Sequence, residues 1–136
     1  MVIKGKPIIP GEASGRAIVS RQPISFWGGV DPSSGEVIDR RHDCAGKVIK
    51  GKIFVFPTGK GSSTGSAVLM ESIRNGNAPA AIINLKLEPI LALGAIVAEE
   101  IYHKTVPMLI ISEADFEKIK EGDLLTIDME GKIKVS

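Results

Sequence analysis

Cysteine is almost absent: Cys44 is the single one among 136 residues. One thiol allows no internal disulfide. It also falls short of the about three or four cysteines that hold an iron–sulfur cluster. Tetrahedral zinc needs four ligands in register, whereas His42, Asp43 and Cys44 form one short cluster and His103 lies far along the chain. That cluster reads as a polar turn around one semi-buried thiol. Charge excess is lacking as well, since 17 basic and 16 acidic residues leave a net charge of +1. Such a balance describes an ordinary globular surface and argues against nucleic acid as a partner. The longest apolar run, 89–98, is well short of the roughly twenty residues of a membrane helix, so no membrane role is read. Val2, Ile3 and Lys4 followed by Pro7 and Pro10 do not make a signal peptide, and a cytoplasmic location is the expectation. Repeats, low-complexity tracts and linkers are missing too, which suits a single domain over 1–136, long enough to bury about two-thirds of its unfolded surface.

What is present has two textures. Up to about Gly65 the chain is dense in Gly and Pro and reads as β structure joined by turns. Strands are expected at 2–4, 16–20, 48–50 and 53–56, with a long loop over 25–32. Beyond it, helices and strands alternate: a helix over 66–74 stopped by Asn75-Gly76, a strand over 80–85, and a helix over 89–102 with Pro at its first turn. A strand over 108–112, a short helix over 113–120 and a hairpin of 124–129 with 132–135, turned at Glu130-Gly131, complete the reading. The fold class is α/β, a partly parallel sheet with helices against it beside a β-rich portion.

The stretch most informative about chemistry is Pro57-Thr58-Gly59-Lys60-Gly61-Ser62-Ser63-Thr64-Gly65-Ser66, in which a buried strand runs into a Gly/Ser loop and then a helix. Glycines let the main chain approach a ligand closely. Unpaired amides and the dipole at the helix start favour an anion there. The spacing is not a Walker loop, because Lys60 lies between two glycines and ahead of both serines. Nor is it a dinucleotide fingerprint, since Gly65 falls one residue late. Ser62, Ser63 or Thr64 would serve as a helix N-cap, but three adjacent hydroxyls exceed what one cap requires.

Two segments carry a resemblance. Ser25-Phe26-Trp27-Gly28-Gly29-Val30-Asp31-Pro32 and Gly59-Lys60-Gly61-Ser62-Ser63-Thr64-Gly65-Ser66-Ala67-Val68-Leu69 look like the two signatures of the aconitase-X swivel domain family, and the likeness covers essentially the whole chain. The resemblance implies a swivelling β/β/α domain that works as the small subunit of an iron–sulfur hydro-lyase. The cluster, expected as [4Fe-4S], would lie on a large aconitase-X subunit, in a heterodimer or higher assembly. In archaea, small subunits of this kind serve the dehydration of (R)-5-phosphomevalonate to trans-anhydromevalonate 5-phosphate in the mevalonate route to isoprenoids. Bacterial relatives act on cis-3-hydroxy-L-proline, which is the alternative.

In the wider aconitase family a Gly-Ser-Ser-Arg loop carries the catalytic base on its first serine, which matches Ser62. Lys60, Gly61, Ser63 and Thr64 then become candidates to bind an anionic hydroxy acid. Thr64 stands where that pattern has arginine, so Lys60 or a partner residue must replace the lost cation. Forming a serine alkoxide at neutral pH costs on the order of 11 to 12 kcal/mol. Loop amides, the helix start and cations brought by the partner would have to supply part of that. Proton removal by Ser62 would accompany Lewis-acid withdrawal of the hydroxyl by the partner's iron. This chain alone is therefore expected to be inactive.

Other segments carry weaker signals. The Trp27 loop either closes the site or docks on the partner, and a core-filling Trp27 is an equal alternative. Glu99, Glu100 and His103 read as solvent-facing, and Arg40-Arg41, which would suit a phosphate, as surface or interface residues. The segment 80–111 also resembles a swivelling phosphohistidine domain, but Leu93-Gly94 stand where its histidine is needed. A non-catalytic anion-binding or scaffold module is the remaining possibility.

Overall fold

The computed structural model describes residues 1–60 and 63–136. Its elements are β1 (Val2–Lys4), β2 (Lys6–Ile9), β3 (Ala13–Val19), β4 (Ile53–Val55), α1 (Ser63–Arg74), β5 (Ala81–Asn84), α2 (Pro89–Tyr102), β6 (Met108–Ile110), α3 (Glu113–Phe116), β7 (Leu124–Ile127) and β8 (Lys132–Val135). They form one eight-stranded sheet in the order β1-β8-β7-β3-β4-β5-β6-β2, with α/β character as expected. Among the described residues no helix is long and apolar enough to cross a membrane.

Strand β3 joins two kinds of sheet. Its first half, Ala13 to Arg16, pairs antiparallel with β7, and its second half, Ala17 to Val19, pairs parallel with β4. β4, β5 and β6 continue the parallel run. The two ends of the sheet are β1 and β2, consecutive strands separated only by Gly5, so the first nine residues tie both ends together. The Gly5 amide donates to the Gly131 carbonyl at 2.8 Å, and a Cβ on Gly5 would meet that oxygen at 3.1 Å.

Ile53-Phe54-Val55 and Ala81-Ile82-Ile83 are buried throughout because central parallel strands are covered on both faces. Alternation then sorts their side chains into two cores. Phe54, Ile82 and Met108 face α1, α2 and the anchors of the long 20–52 segment, such as Ile24, Phe26, Val37 and Ile49. Ile53, Val55, Ala81, Ile83 and Leu109 face Phe116, Leu125, Ile127 and Ile133.

The structure departs from the expected elements in a few places. β2 was not expected, because Pro7 interrupts its short run; the sheet accepts it at an end strand, with a register shift between Pro7 and Ile9. The expected strand at 48–50 is not formed. Val48 makes only an isolated bridge to Glu36, while Ile49 plugs the core from a loop. Helix α1 starts at Ser63, three residues before the expected start, and α3 ends at Phe116 rather than 120.

Helix α2 has the expected bounds. Glu88 caps it, its carboxylate accepting from the amides of Ile90 at 3.2 Å and Leu91 at 2.6 Å. α1 and α2 pack closely where Gly94 faces Ser66: a Cβ on Gly94 would lie 2.3 Å from Ser66 Oγ and 3.0 Å from its carbonyl oxygen. Gly94→Ala is therefore expected to cost about 1–3 kcal/mol by overpacking, read as a lower urea midpoint. Combining it with Ser66→Ala should recover only part of the loss, because the carbonyl remains. A Gly94→Ala protein as stable as the native one would show that the helices have room to separate.

Candidate functional site

The strand–loop–helix unit is present as read. β4 ends at Val55, the chain passes through Phe56 to Lys60, and α1 begins at Ser63. Gly61 and Ser62 lie outside the described residues. Ser63 and Thr64 are exposed in the first turn of α1, Gly65 is buried, and Lys60 is exposed. A 12-residue helix with two free-standing hydroxyls in its first turn presents its positive end to the loop.

The loop is fixed from both sides. Lys60 donates its amide to the Ile24 carbonyl at 2.9 Å, and Ile24 bridges Gly59 in parallel. On the other side a Cβ on Gly59 would come within 3.2 Å of Leu91 in the first turn of α2, so glycine allows that approach. The loop thus lies at the carboxyl end of the parallel strands, where open α/β sheets place their ligand crevices. One cleft of about 420 Å³ lies there, among Pro57, Thr58, Leu85, Lys86, Ile111 and Ser112.

A second cleft, of about 630 Å³, lies beside Lys60 and is lined by Gln22, Pro23, Asp39, Arg41, His42 and Lys60. Arg41 was set aside on sequence grounds; folding brings it together with Lys60. Arg40 faces a separate cleft with Glu36, so the adjacent arginines do not act as a pair. No local sequence signal marks this, because residues 41 and 60 meet only through the path of the 20–52 segment.

The signature around Trp27 has a structural reason. Gly28 has φ 75°, and a Cβ on Gly29 would sit 2.0 Å from the Ser25 carbonyl oxygen. Both glycines are needed for the turn. Trp27 is 62% exposed, so it does not fill the core; Phe26, 1% exposed, does so against Phe56. Glu99, Glu100 and His103 are exposed as expected, and His103 closes α2 in a left-handed conformation at φ 56°.

His42, Asp43 and Cys44 form the expected polar turn, but the thiol is fully buried rather than half-buried. Burial, reinforced by the nearby Asp43 charge, pushes Cys44 up to about 11, so it is a neutral thiol at pH 7. It lies 3.7 Å from the Val19 carbonyl. The Cys44 amide donates to His42 Nδ1 at 3.1 Å, and the other ring nitrogen, Nε2, lies 3.3 Å from Ser20 Oγ. Ser20 in turn donates to Asp43 at 2.6 Å, and the Arg21 amide donates to its other oxygen at 3.0 Å. The three donors, within 4.8 Å of one another, are each engaged locally. One neutral thiol does not fit an iron–sulfur cluster.

Burial opposes ionisation of Asp43, but the hydrogen bonds from Ser20 and Arg21, with His42 nearby, outweigh it and hold the carboxyl below its usual range. A depressed folded-state pKa contributes stability above the unfolded value, near 3.9, and that contribution fades as pH falls through the folded one. Because the side chain is 35% exposed, Asp43→Asn is expected to cost only about 1 kcal/mol at pH 7. The gap between native and variant urea midpoints should shrink as pH is lowered below the unfolded value near 3.9, and a gap that stays constant down to the lowest pH at which the protein remains folded would rule out the charged network.

Comparison with known proteins gives this geometry a family. A profile described as the aconitase X swivel domain matches residues 2–135. The phosphomevalonate dehydratase small subunit of Methanosarcina acetivorans is 45% identical over 135 residues, covering 98% of this chain and 90% of that one. A cis-3-hydroxy-L-proline dehydratase of Pseudomonas aeruginosa is 46% identical over 112 residues, which are 82% of this chain and 19% of that protein. The crystal structure of Thermococcus kodakaraensis aconitase X in its holo-form superposes with a TM-score of 0.89 at 41% identity, covering 100% of this chain and 98% of the matched one. With its swivel-domain fold, its glycine-serine loop and these matches, the chain belongs to the aconitase X swivel domain family.

Proposed function

We propose that this chain, acting as one swivel domain over 1–136, is the small subunit of a cytoplasmic hydro-lyase that dehydrates (R)-5-phosphomevalonate to trans-anhydromevalonate 5-phosphate. The observation that carries the reading is the 45% identity, running nearly the length of both chains, to a relative named as that enzyme's small subunit. The hydroxyproline dehydratase is matched over only 19% of its length. Aconitase-X-type dehydratases are iron–sulfur enzymes. Since one buried neutral thiol cannot hold a cluster, we assign the cluster to the larger subunit, where it would act as a Lewis acid toward the leaving hydroxyl.

This chain's share is the proton. Ser62 Oγ, as its alkoxide, takes it from the carbon next to the substrate carboxylate, a double bond forms toward the neighbouring carbon, and the hydroxyl there leaves as hydroxide; proton return from the Ser62 hydroxyl turns that hydroxide into water and restores the base. The amides at Gly61 and the start of α1, with the hydroxyls of Ser63 and Thr64, stabilise negative charge on the base and on the carboxylate. Lys60 supplies a cation in place of the arginine replaced by Thr64.

The larger subunit also explains an apolar face. On α2, Ile90, Leu93 and Ile101 are 40%, 57% and 57% exposed, and with Val97 they recur at three- and four-residue spacing. This stripe starts in the turn that packs on Gly59, so it continues from the loop itself. A partner seated on it would close the site.

Two experiments test the reading. In the anaerobically assembled complex, Ser62→Ala should lower kcat on 5-phosphomevalonate about 10²- to 10⁴-fold with assembly intact; native turnover by the variant would remove Ser62 from the chemistry. Leu93→Asp should weaken binding of the larger subunit at least tenfold by calorimetry, while circular dichroism of the variant stays native. Unchanged binding would place the interface elsewhere.

A further inference from the structure

Four exposed cations of this chain have carboxylate partners: Arg21 with Glu117 at 2.7 Å, Lys47 with Glu121 at 3.1 Å, Arg74 with Glu71, and Lys118 with Asp115 at 3.1 Å. Other exposed cations, among them Arg40, Lys50 and Lys86, have none among the described residues, and what sets Arg41 and Lys60 apart is that they line one cleft together. They share the cleft of about 630 Å³, and among the described residues neither side-chain cation has a hydrogen-bond or ion-pair partner. The one carboxylate in the cleft, Asp39, accepts the Arg41 backbone amide at 3.0 Å, so it shapes the turn rather than neutralising the guanidinium. The remaining walls are Gln22, Pro23 and His42, whose Nδ1 lies 3.1 Å from the Cys44 amide nitrogen and 3.3 Å from Asp43 Oδ1.

We propose that Arg41 and Lys60 together grip the phosphate monoester of the substrate, and that Arg41 is a specificity-determining residue. The inference rests on the reading of the site given above and extends it to the end of the substrate far from the reacting carbon. Charge count favours this division. A phosphate monoester carries about −1.5 to −2 at pH 7 and suits two cations, one of them a planar fork that bonds two oxygens at once. The substrate carboxylate carries one charge and must lie beside the carbon that loses its proton, so it belongs at the serine loop and the start of α1. Lys60 stands at the junction, in the loop by sequence and on the cleft wall in space. Arg41 stands only in the cleft and therefore meets only the phosphate.

The test uses the two-subunit complex and two substrates, 5-phosphomevalonate and mevalonate, which lacks the phosphate. Arg41→Ala should lower the ratio of their kcat/KM values about 10- to 100-fold, mainly by raising KM for the phosphorylated substrate. Arg41→Lys should fall between native and Arg41→Ala, because it keeps the charge and loses the fork. An unchanged ratio, or loss of the complex on native mass spectrometry in place of a change in KM, would overturn the assignment. Calorimetric titration of the complex with inorganic phosphate separates this claim from the substrate reading. If the native complex does not turn over 5-phosphomevalonate, that reading fails, whereas the cleft is still judged by whether Arg41→Ala weakens phosphate binding at least fivefold. Equal phosphate binding by native and variant would refute the grip.

Discussion

The division of β3 between two partners is the constraint on which the rest of the structure depends. Its first half is pinned to the β7–β8 hairpin and its second half to the parallel strands, so its C-terminal end has one fixed position at the carboxyl edge of the parallel strands. From that end the chain leaves the sheet at Ser20 and does not return until Ile53. The excursion is long for a segment without strands of its own, and core anchors order it: Ile24, Phe26, Val30, Val37, Cys44 and Ile49 are all buried. Between the anchors, exposed residues such as Trp27 and Arg41 reach the surface, and Arg41 lines the cleft beside Lys60. The Ile24 to Lys60 hydrogen bond of 2.9 Å fastens the excursion to the loop that follows β4.

Legibility in the sequence followed the locality of the cause. Helix α2 was readable to the residue because an N-terminal proline, a continuous apolar pattern and a stop after Tyr102 are local signals, although the capping by Glu88 was not foreseen. The buried strands β4 and β5 were readable from continuous apolar runs. The run at 48–50 carries the same local β preference, yet Ile49 is buried as a single plug with no strand beside it to complete a ladder. β2 was hidden because Pro7 argues against a strand in isolation, and only the end position in the sheet makes it acceptable. The same logic covers the site. Its strand–loop–helix form is a local pattern and was read directly, whereas the pairing of Arg41 with Lys60, and the choice of Phe26 over Trp27 for the core, are products of the path taken by 20–52.

A serine base needs more help than one chain provides. The cost of its alkoxide, about 11 to 12 kcal/mol in water, exceeds what a helix start contributes, typically below about 2 kcal/mol even when partly buried. The same limit explains the distribution of chemistry between subunits. On the proposed reading, proton removal falls to a chain with one cysteine, and that thiol is buried and neutral, so it competes neither as a nucleophile nor as a metal ligand. The polar turn around it is structural, and its hydrogen bonds to Ser20 and Arg21 hold the end of β3 in place.

Openness of the cleft and absence of ion pairs in it belong together. Two unit charges 4 Å apart attract by about 1 kcal/mol in water and by about 4 kcal/mol at an effective dielectric constant of 20. While the cleft beside Lys60 is open to solvent, Arg41 and Lys60 attract an anion weakly, and an internal carboxylate partner would cancel even that. In the proposed assembly, a larger subunit seated on the apolar stripe of α2 would expel that water, and the same two cations would gain several-fold in strength. Among the described residues, Arg41 and Lys60 are therefore left without carboxylate partners at the wall of an open cleft. Binding of the substrate's charged end and closure of the interface become coupled steps, each strengthened by the other, because both depend on excluding the same water.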